Sequence, residues 1–116
     1  MILEIVTFKT PTGWDRARVV EDAKKTISRW SANSELLRKH YGLGIAEDEG
    51  ISTGVYVWPT VEAAKKGHDE EWREGVRKRT GSYPVIRYFD LFLLIDNEHR
   101  QITEWADDGS AMLVSA

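Results

Sequence analysis

The chain has 116 residues, of which 41% are hydrophobic and 30% are charged, and its formal net charge is −3. This length fits one domain that buries roughly two-thirds of its unfolded surface, so neither a disulfide nor a metal is needed to hold it together. The absence of cysteine excludes disulfides, thiolate-held zinc, iron–sulfur clusters and a cysteine nucleophile, and the mild charge indicates no nucleic-acid or membrane partner.

The amino-terminal stretch MILEIVTFKT has no basic leader and is too short in its apolar run for a signal peptide. No segment approaches the roughly 20 apolar residues of a membrane-spanning helix. We therefore expect a cytoplasmic protein.

The first half of the chain predicts a strand, a helix and a hairpin. Residues Ile2 to Lys9 are rich in β-formers, and Asp15 to Trp30 carry apolar residues at helical spacing. Leu36 to Ile45 and Ile51 to Trp58 read as two strands joined by an acidic loop that ends in glycine, which predicts an antiparallel pair.

The second half repeats the order of helix and strand. Proline and Thr60 open a helical region whose apolar stripe includes His68 and Trp72, and Gly67 and Gly75 are possible breaks in it. Residues 85–95 predict one long strand. The tail contains the turn sequence Asp-Asp-Gly between two short alternating stretches, which predicts a small hairpin or an extended arm.

The order strand, helix, strand, strand, helix, strand predicts an α+β fold of the ferredoxin-like βαββαβ type with a four-stranded antiparallel sheet. We expect residues 1–97 to form this domain and residues 98–116 to be an extension packed on the domain or on a partner subunit.

Two helices can cover only one face of such a sheet, yet the strands carry large apolar residues on both faces. An identical subunit is the simplest cover for the second face, which predicts a homodimer. We expect Val55 and Val57 to face the helices of their own subunit, and Tyr56 and Trp58 to face the space that the partner closes.

Several short stretches together resemble the monooxygenases of the YdhR type, which belong to the dimeric α+β-barrel superfamily that includes antibiotic-biosynthesis monooxygenases. These stretches are Leu36–Tyr41, Gly54–Trp58, Glu62–Ala64, Glu71–Trp72 and the run from Gly81 through Pro84 to Asn97. The resemblance covers about residues 1–97, and it rests on the order and spacing of the stretches because no single motif is diagnostic.

The resemblance implies a homodimer, a small aromatic or otherwise apolar substrate, and oxygenase chemistry that uses no metal or flavin. Trp58 matches a tryptophan at the end of the third strand in the quinone-forming monooxygenases of the superfamily. Gly54 stands where those enzymes have an asparagine, so one polar side chain of their site is missing here.

The candidate catalytic bases are His40 and His68, because histidine titrates near neutral pH. The candidate substrate-binding residues are Tyr56, Trp58, Trp72, Arg87 and Tyr88. The rings would form a dry pocket, and the last two residues could bind an anionic oxygen. No cofactor is expected, and three isolated histidines do not form a metal-ligand pattern.

Three functions remain open at this point. The first is a cofactor-independent monooxygenase acting on a small aromatic or enolisable substrate. The second is a dimer that binds a small ligand or a partner without catalysis. The third is a cyclase or lyase that uses the same base without oxygen.

Overall fold

The computed structural model describes residues 1–115 and contains seven strands and four α-helices within them. The strands are β1 (Ile2–Lys9), β2 (Arg38–Leu43), β3 (Ile51–Trp58), β4 (Val85–Asp90), β5 (Leu93–Asp96), β6 (Gln101–Trp105) and β7 (Ala111–Leu113). The helices are α1 (Arg16–Lys24), α2 (Ile27–Ser31), α3 (Val61–Gly67) and α4 (Glu70–Thr80).

Strands β1 to β4 form an antiparallel sheet in the order β2-β3-β1-β4. The helices pack on one face of this sheet, where Trp30 of α2 and Ala64 of α3 join the buried cluster. The predicted ferredoxin-like α+β fold is confirmed.

Each predicted helical region is divided in two. The first region is interrupted at Lys25 and Thr26, and Asp15 caps α1 by accepting a hydrogen bond from the backbone amide of Arg18. The second region breaks around His68, and Asp69 caps α4 at the amide of Trp72. The break therefore follows Gly67, whereas Gly75 lies inside α4.

The prediction of the sheet faces is wrong. Tyr56 and Trp58 are buried against the helices, where the ring of Trp30 meets both of them at centroid distances of 5.2 and 6.5 Å. Val55 and Val57 alternate with them and lie on the outer face, where they are only partly covered.

The small residues of α3 explain this reversal. Ala63, Ala64 and Gly67 are buried, and a Cβ atom built on Gly67 would lie 2.6 Å from the Cη2 atom of Trp58. A helix face without bulk leaves a space that only large side chains on the sheet can fill. The aromatic residues therefore belong under the helices, and the valines do not.

The long strand predicted for residues 85–95 is two strands in two different sheets. Strand β4 pairs with β1, whereas β5 pairs with β6, and β6 pairs with β7. The predicted tail hairpin is thus confirmed as β6 and β7, but the three-stranded arm already begins at Leu93. Apolar side chains on this arm, among them Leu93, Ile95 and Leu113, are exposed.

Within residues 1–115, the structure contains no helix with the length and apolar character that crossing a membrane requires.

Candidate functional site

A row of four titratable side chains crosses the helix-facing side of the sheet. Tyr56 lies opposite Lys39 of β2 and opposite Glu4 of β1, and Glu4 lies opposite Tyr88 of β4. Residues directly opposite each other in an antiparallel pair point to the same face, so the register alone aligns these groups.

A cavity of about 420 Å³ lies between this face and the helices. Its apolar lining includes Phe8, Trp14, Val19, Val20, Trp30, Tyr56 and Trp72. Its charged lining consists of Arg16, Asp22, Lys39 and Arg79. The cavity has the size and the mainly apolar wall of a small-molecule pocket, and more of its charged groups are basic than acidic.

Lys39 is the ionisable group set among the rings of this pocket. Its Nζ atom lies 3.8 Å from the ring centroid of Tyr41 and 4.6 Å from those of Trp30 and Tyr56. Within residues 1–115, no carboxylate lies within ion-pair distance of it. The ammonium group is thus surrounded by aromatic faces and lacks a direct counter-ion.

Burial lowers the pKa of Lys39 to about 7, with the nearby charge of Arg29 adding to the effect and the charge of Glu4 opposing it. Arg29 is held in place because its Nη2 atom donates a hydrogen bond to the carbonyl of Gly67 at 3.2 Å. Near neutral pH, Lys39 can therefore exchange between the amine and the ammonium form.

Tyr56 forms part of the pocket wall and remains a neutral phenol. Burial raises its pKa, and the charge of Glu4 raises it further. Its ring lies over Gly54, where an added Cβ atom would be 2.7 Å from Cε1 and 3.0 Å from the hydroxyl oxygen. The missing side chain at position 54 is thus what leaves room for the ring of Tyr56.

A buried polar cluster of Glu4, Trp58 and His68 lies behind the pocket wall. Trp58 Nε1 donates a hydrogen bond to Glu4 Oε1 at 2.8 Å. The Nδ1 atom of His68 is 2.9 Å from the same oxygen, but it is not aligned for a hydrogen bond. Glu4 Oε2 and His68 Nε2 have no hydrogen-bond partner among the described residues.

The ring of His68 is enclosed by aromatic side chains. Its centroid lies 4.3 Å from that of Trp72, 4.4 Å from that of Tyr56 and 5.0 Å from that of Trp30. Only 3% of the residue is exposed, and it does not line the pocket. The rings that form the pocket wall therefore separate this histidine from the pocket.

The structure brings together only some of the predicted site residues. Tyr56 and Trp72 line the pocket, whereas Trp58, His68 and Tyr88 lie on the same side of the sheet but outside the lining. Burial and the charge of Glu4 raise the pKa of the Tyr88 hydroxyl.

His40 and Arg87 are placed away from the pocket. They lie opposite Val55 and Ile5, respectively, so both point to the outer face of the sheet, and both are exposed. The two candidate bases, His40 and His68, thus lie on opposite sides of the sheet.

Sequence reasoning missed Glu4 and Lys39 as site residues. Glu4 is the only acid in the apolar strand ILEIVTFK, and a carboxylate within such a strand signals a buried partner. Lys39 alternates with His40, so it shares a face with Tyr41. That this face of β2 is the one that meets the helices follows only from how the helices pack on the sheet.

A four-stranded antiparallel sheet with helices on one face and an aromatic pocket beneath them defines a ferredoxin-like α+β protein. Several solved structures named antibiotic biosynthesis monooxygenases share this fold. No protein-family model and no curated sequence matches the chain.

Among these structures is a protein from Bordetella bronchiseptica, named an antibiotic biosynthesis monooxygenase, with a TM-score of 0.61 and 20% identity over 79% of this chain and 97% of that one. A monooxygenase of Streptomyces coelicolor from the gene ActVA-Orf6, solved with the ligand nanaomycin D, gives a TM-score of 0.58 and 18% identity over 78% of this chain and 86% of its own. Rv0793 from Mycobacterium tuberculosis gives a TM-score of 0.57 and 9% identity over 79% of this chain and 96% of that one. These likenesses show the fold.

Proposed function

We propose that the chain is a monooxygenase-like enzyme of the YdhR type that acts on a small aromatic or enolisable substrate in the pocket. The observation that carries the proposal is the position of Lys39, an amine that titrates near neutral pH in the wall of an aromatic cavity. The similarly folded Streptomyces monooxygenase was solved with the ligand nanaomycin D, which supports a small organic ligand for a protein of this fold.

Lys39 is the general base in this proposal. Its neutral amine takes the proton of a phenolic or enolic hydroxyl, and the resulting ammonium pairs with the substrate anion. Tyr56 stays protonated and can donate a hydrogen bond to the same oxygen. The rings of Trp30 and Trp72 exclude water, which strengthens the ion pair.

The anion is then oxidised by dioxygen. A carbon–hydrogen bond next to the anionic carbon–oxygen system becomes a carbonyl, so a phenol becomes a quinone. One oxygen atom enters the product, and the other leaves as water with two substrate hydrogens. The substrate supplies all the electrons, so this proposal involves no cofactor.

The buried cluster has an indirect role in this scheme. The charge of Glu4 acts on both Lys39 and Tyr56, but Glu4 does not line the pocket, so it is a positioning residue. Trp58 holds it by a hydrogen bond, and His68 lies beside the same oxygen. His40 and Arg87 have no part in this chemistry, because they lie on the other face.

The outer face of the sheet supports the proposal of a homodimer. Its apolar residues include Leu3, Ile5, Val55, Val57, Val85 and Phe89, which are only partly covered in the single chain. Covering several hundred Å² of such surface contributes on the order of 10 kcal/mol before the cost of association. A Val57→Lys variant should be monomeric by light scattering, and a dimer that persists in this variant would contradict the proposed face.

The turnover test uses a set of phenols and 1,3-diketones with and without oxygen. We expect consumption of oxygen together with product in air, no product under nitrogen, and a loss of about 10²-fold or more in Lys39→Met. The Lys65→Met variant, changed at an exposed lysine on α3, should turn over normally. Product formed equally well under nitrogen would indicate a cyclase or lyase instead.

The second candidate is a dimer that binds a small ligand without catalysis. It is favoured by the finding that neither His40 nor His68 lines the pocket, so the bases predicted from the sequence do not reach the ligand. Phenols that quench tryptophan fluorescence by binding, but give no product under either gas, would establish this candidate and overturn the enzyme.

A further inference from the structure

Lys39 has the surroundings of a covalent nucleophile as well as those of a base. Lysines that form imines are desolvated in apolar pockets or lie beside a second cationic group. Lys39 has both features, because its Nζ lies among three aromatic rings and Arg29 lies nearby on α2. Among residues 1–115 no carboxylate lies at ion-pair distance, so the contact that normally holds a lysine as ammonium is missing there.

We propose that Lys39 forms an imine with a small apolar aldehyde or ketone bound in the aromatic pocket. The amine nitrogen attacks the carbonyl carbon and gives a carbinolamine. The carbonyl oxygen then leaves as water, carrying away both amine hydrogens, and a carbon–nitrogen double bond remains. No oxidant or reductant takes part.

The lining of the pocket selects the class of carbonyl compound. Phe8, Trp14, Trp30 and Trp72 provide flat apolar walls, and the volume of about 420 Å³ admits a substituted aromatic ring. A carbonyl compound carrying several hydroxyl groups would leave them unpaired against these walls, which costs binding free energy. The preferred partner is therefore an aryl or alkyl carbonyl compound.

The titratable and charged groups around the reactive amine either act on it or line the same pocket. They are Glu4 of β1, Arg29 of α2, Tyr41 of β2 and Tyr56 of β3, together with Asp22 of α1 and Arg79 of α4, which line the same pocket. Arg29 favours the neutral amine and Glu4 favours the ammonium, and burial decides the balance towards the amine.

The test treats the native chain with benzaldehyde and sodium cyanoborohydride, which reduces an imine to a stable secondary amine, and locates the product by peptide mass spectrometry. Exposed Lys65 and Lys66 of α3 are internal controls in the same sample. At pH 7 about half of an amine of pKa 7 is neutral, against less than roughly 0.1% at the ordinary value, so Lys39 should react at least about tenfold faster.

Two further measurements make the outcome decisive. The ratio of labelling at Lys39 to labelling at Lys65 and Lys66 should be highest near pH 7 and should fall towards pH 10, because an ordinary lysine amine also becomes neutral there. Glyceraldehyde, an aldehyde rich in hydroxyl groups, should lose the preference for Lys39. Labelling of Lys39 no faster than the control lysines, or equal labelling by both aldehydes, would overturn the proposal. This experiment needs the pocket but no oxygenase activity, so its result is independent of the turnover test.

Discussion

Trp58 donates a hydrogen bond to Glu4 across 54 residues of sequence, and both side chains are completely buried. The bond joins neighbouring strands β3 and β1 beneath the helices. A buried carboxylate is costly unless it is hydrogen-bonded, so Glu4 depends on this indole as its aligned donor, while the Nδ1 atom of His68 lies 2.9 Å from the same oxygen.

Replacing Trp58 with phenylalanine should therefore destabilise the protein more than the loss of apolar surface requires. We expect the free energy of unfolding in urea to fall by about 2–4 kcal/mol, because Glu4 loses its aligned donor. Trp14→Phe is the matched control, since Trp14 is only partly buried and its neighbour is the exposed Arg18. Equal losses in the two variants would show that the hydrogen bond contributes nothing.

Gly67 and Gly75 form a natural pair for testing the packing of α3 on the sheet. A Cβ atom on Gly67 would lie 2.6 Å from the ring of Trp58, whereas one on Gly75 meets nothing within 4 Å. Gly67→Ala should lower the free energy of unfolding by about 1–3 kcal/mol through overpacking. Gly75→Ala should raise it by about 0.5–1 kcal/mol, because alanine costs less entropy in a helix.

The measurement for both variants is urea unfolding followed by circular dichroism. A Gly67→Ala protein as stable as the Gly75→Ala protein would contradict the tight contact with Trp58. It would also contradict the explanation that the small residues of α3 leave room for the aromatic side chains of β3.

The fold was predictable because it depends on periodicity and element order. Strand β3 alternates strictly in burial, and the cap at Thr60 is marked by residue type. The break between β4 and β5 was not predictable, because residues 85–95 carry only two charged side chains and only the pairing with two different sheets divides them.

The site was harder to predict, because it depends on which face of the sheet meets the helices. Tyr56 and Trp72 were identified as pocket residues, and they line the cavity, since aromatic side chains are suited to this role in either orientation. Lys39 acquires its importance only from three rings that come from separate elements. No spacing in the sequence encodes that convergence.

Gly54 should be intolerant of a side chain because of Tyr56. In Gly54→Ala the new methyl group would collide with the ring at 2.7 Å, so the ring must move and the pocket must change shape. We expect lower stability and weaker ligand binding, both measurable by fluorescence. In the double variant Gly54→Ala/Tyr56→Leu, the loss of stability should be smaller than the sum of the single losses, because the clash is gone. Additive losses would argue against the contact.

The lowered pKa of Lys39 predicts how stability changes with pH. Between pH 7 and its ordinary pKa of 10.5, the unfolded chain holds a proton on this lysine that the folded chain has released. Unfolding therefore takes up a proton in this range, and the free energy of unfolding contributed by Lys39 rises with pH from about 7 upwards. The slope stays below about 1.4 kcal/mol per pH unit, and solvent screening of the partly exposed group reduces it further.

Lys39→Met should remove this slope. Relative to the native chain, the variant should be stabilised most near pH 7 and below, and least at alkaline pH. Urea unfolding between pH 6.5 and 9.5 measures the effect before Tyr56, whose pKa is raised by burial, can contribute at higher pH. The control is Lys65→Met on the exposed side of α3, which should keep the native slope. An unchanged slope in Lys39→Met would mean that Lys39 remains an ordinary ammonium, and the base and the imine would both lose their physical basis.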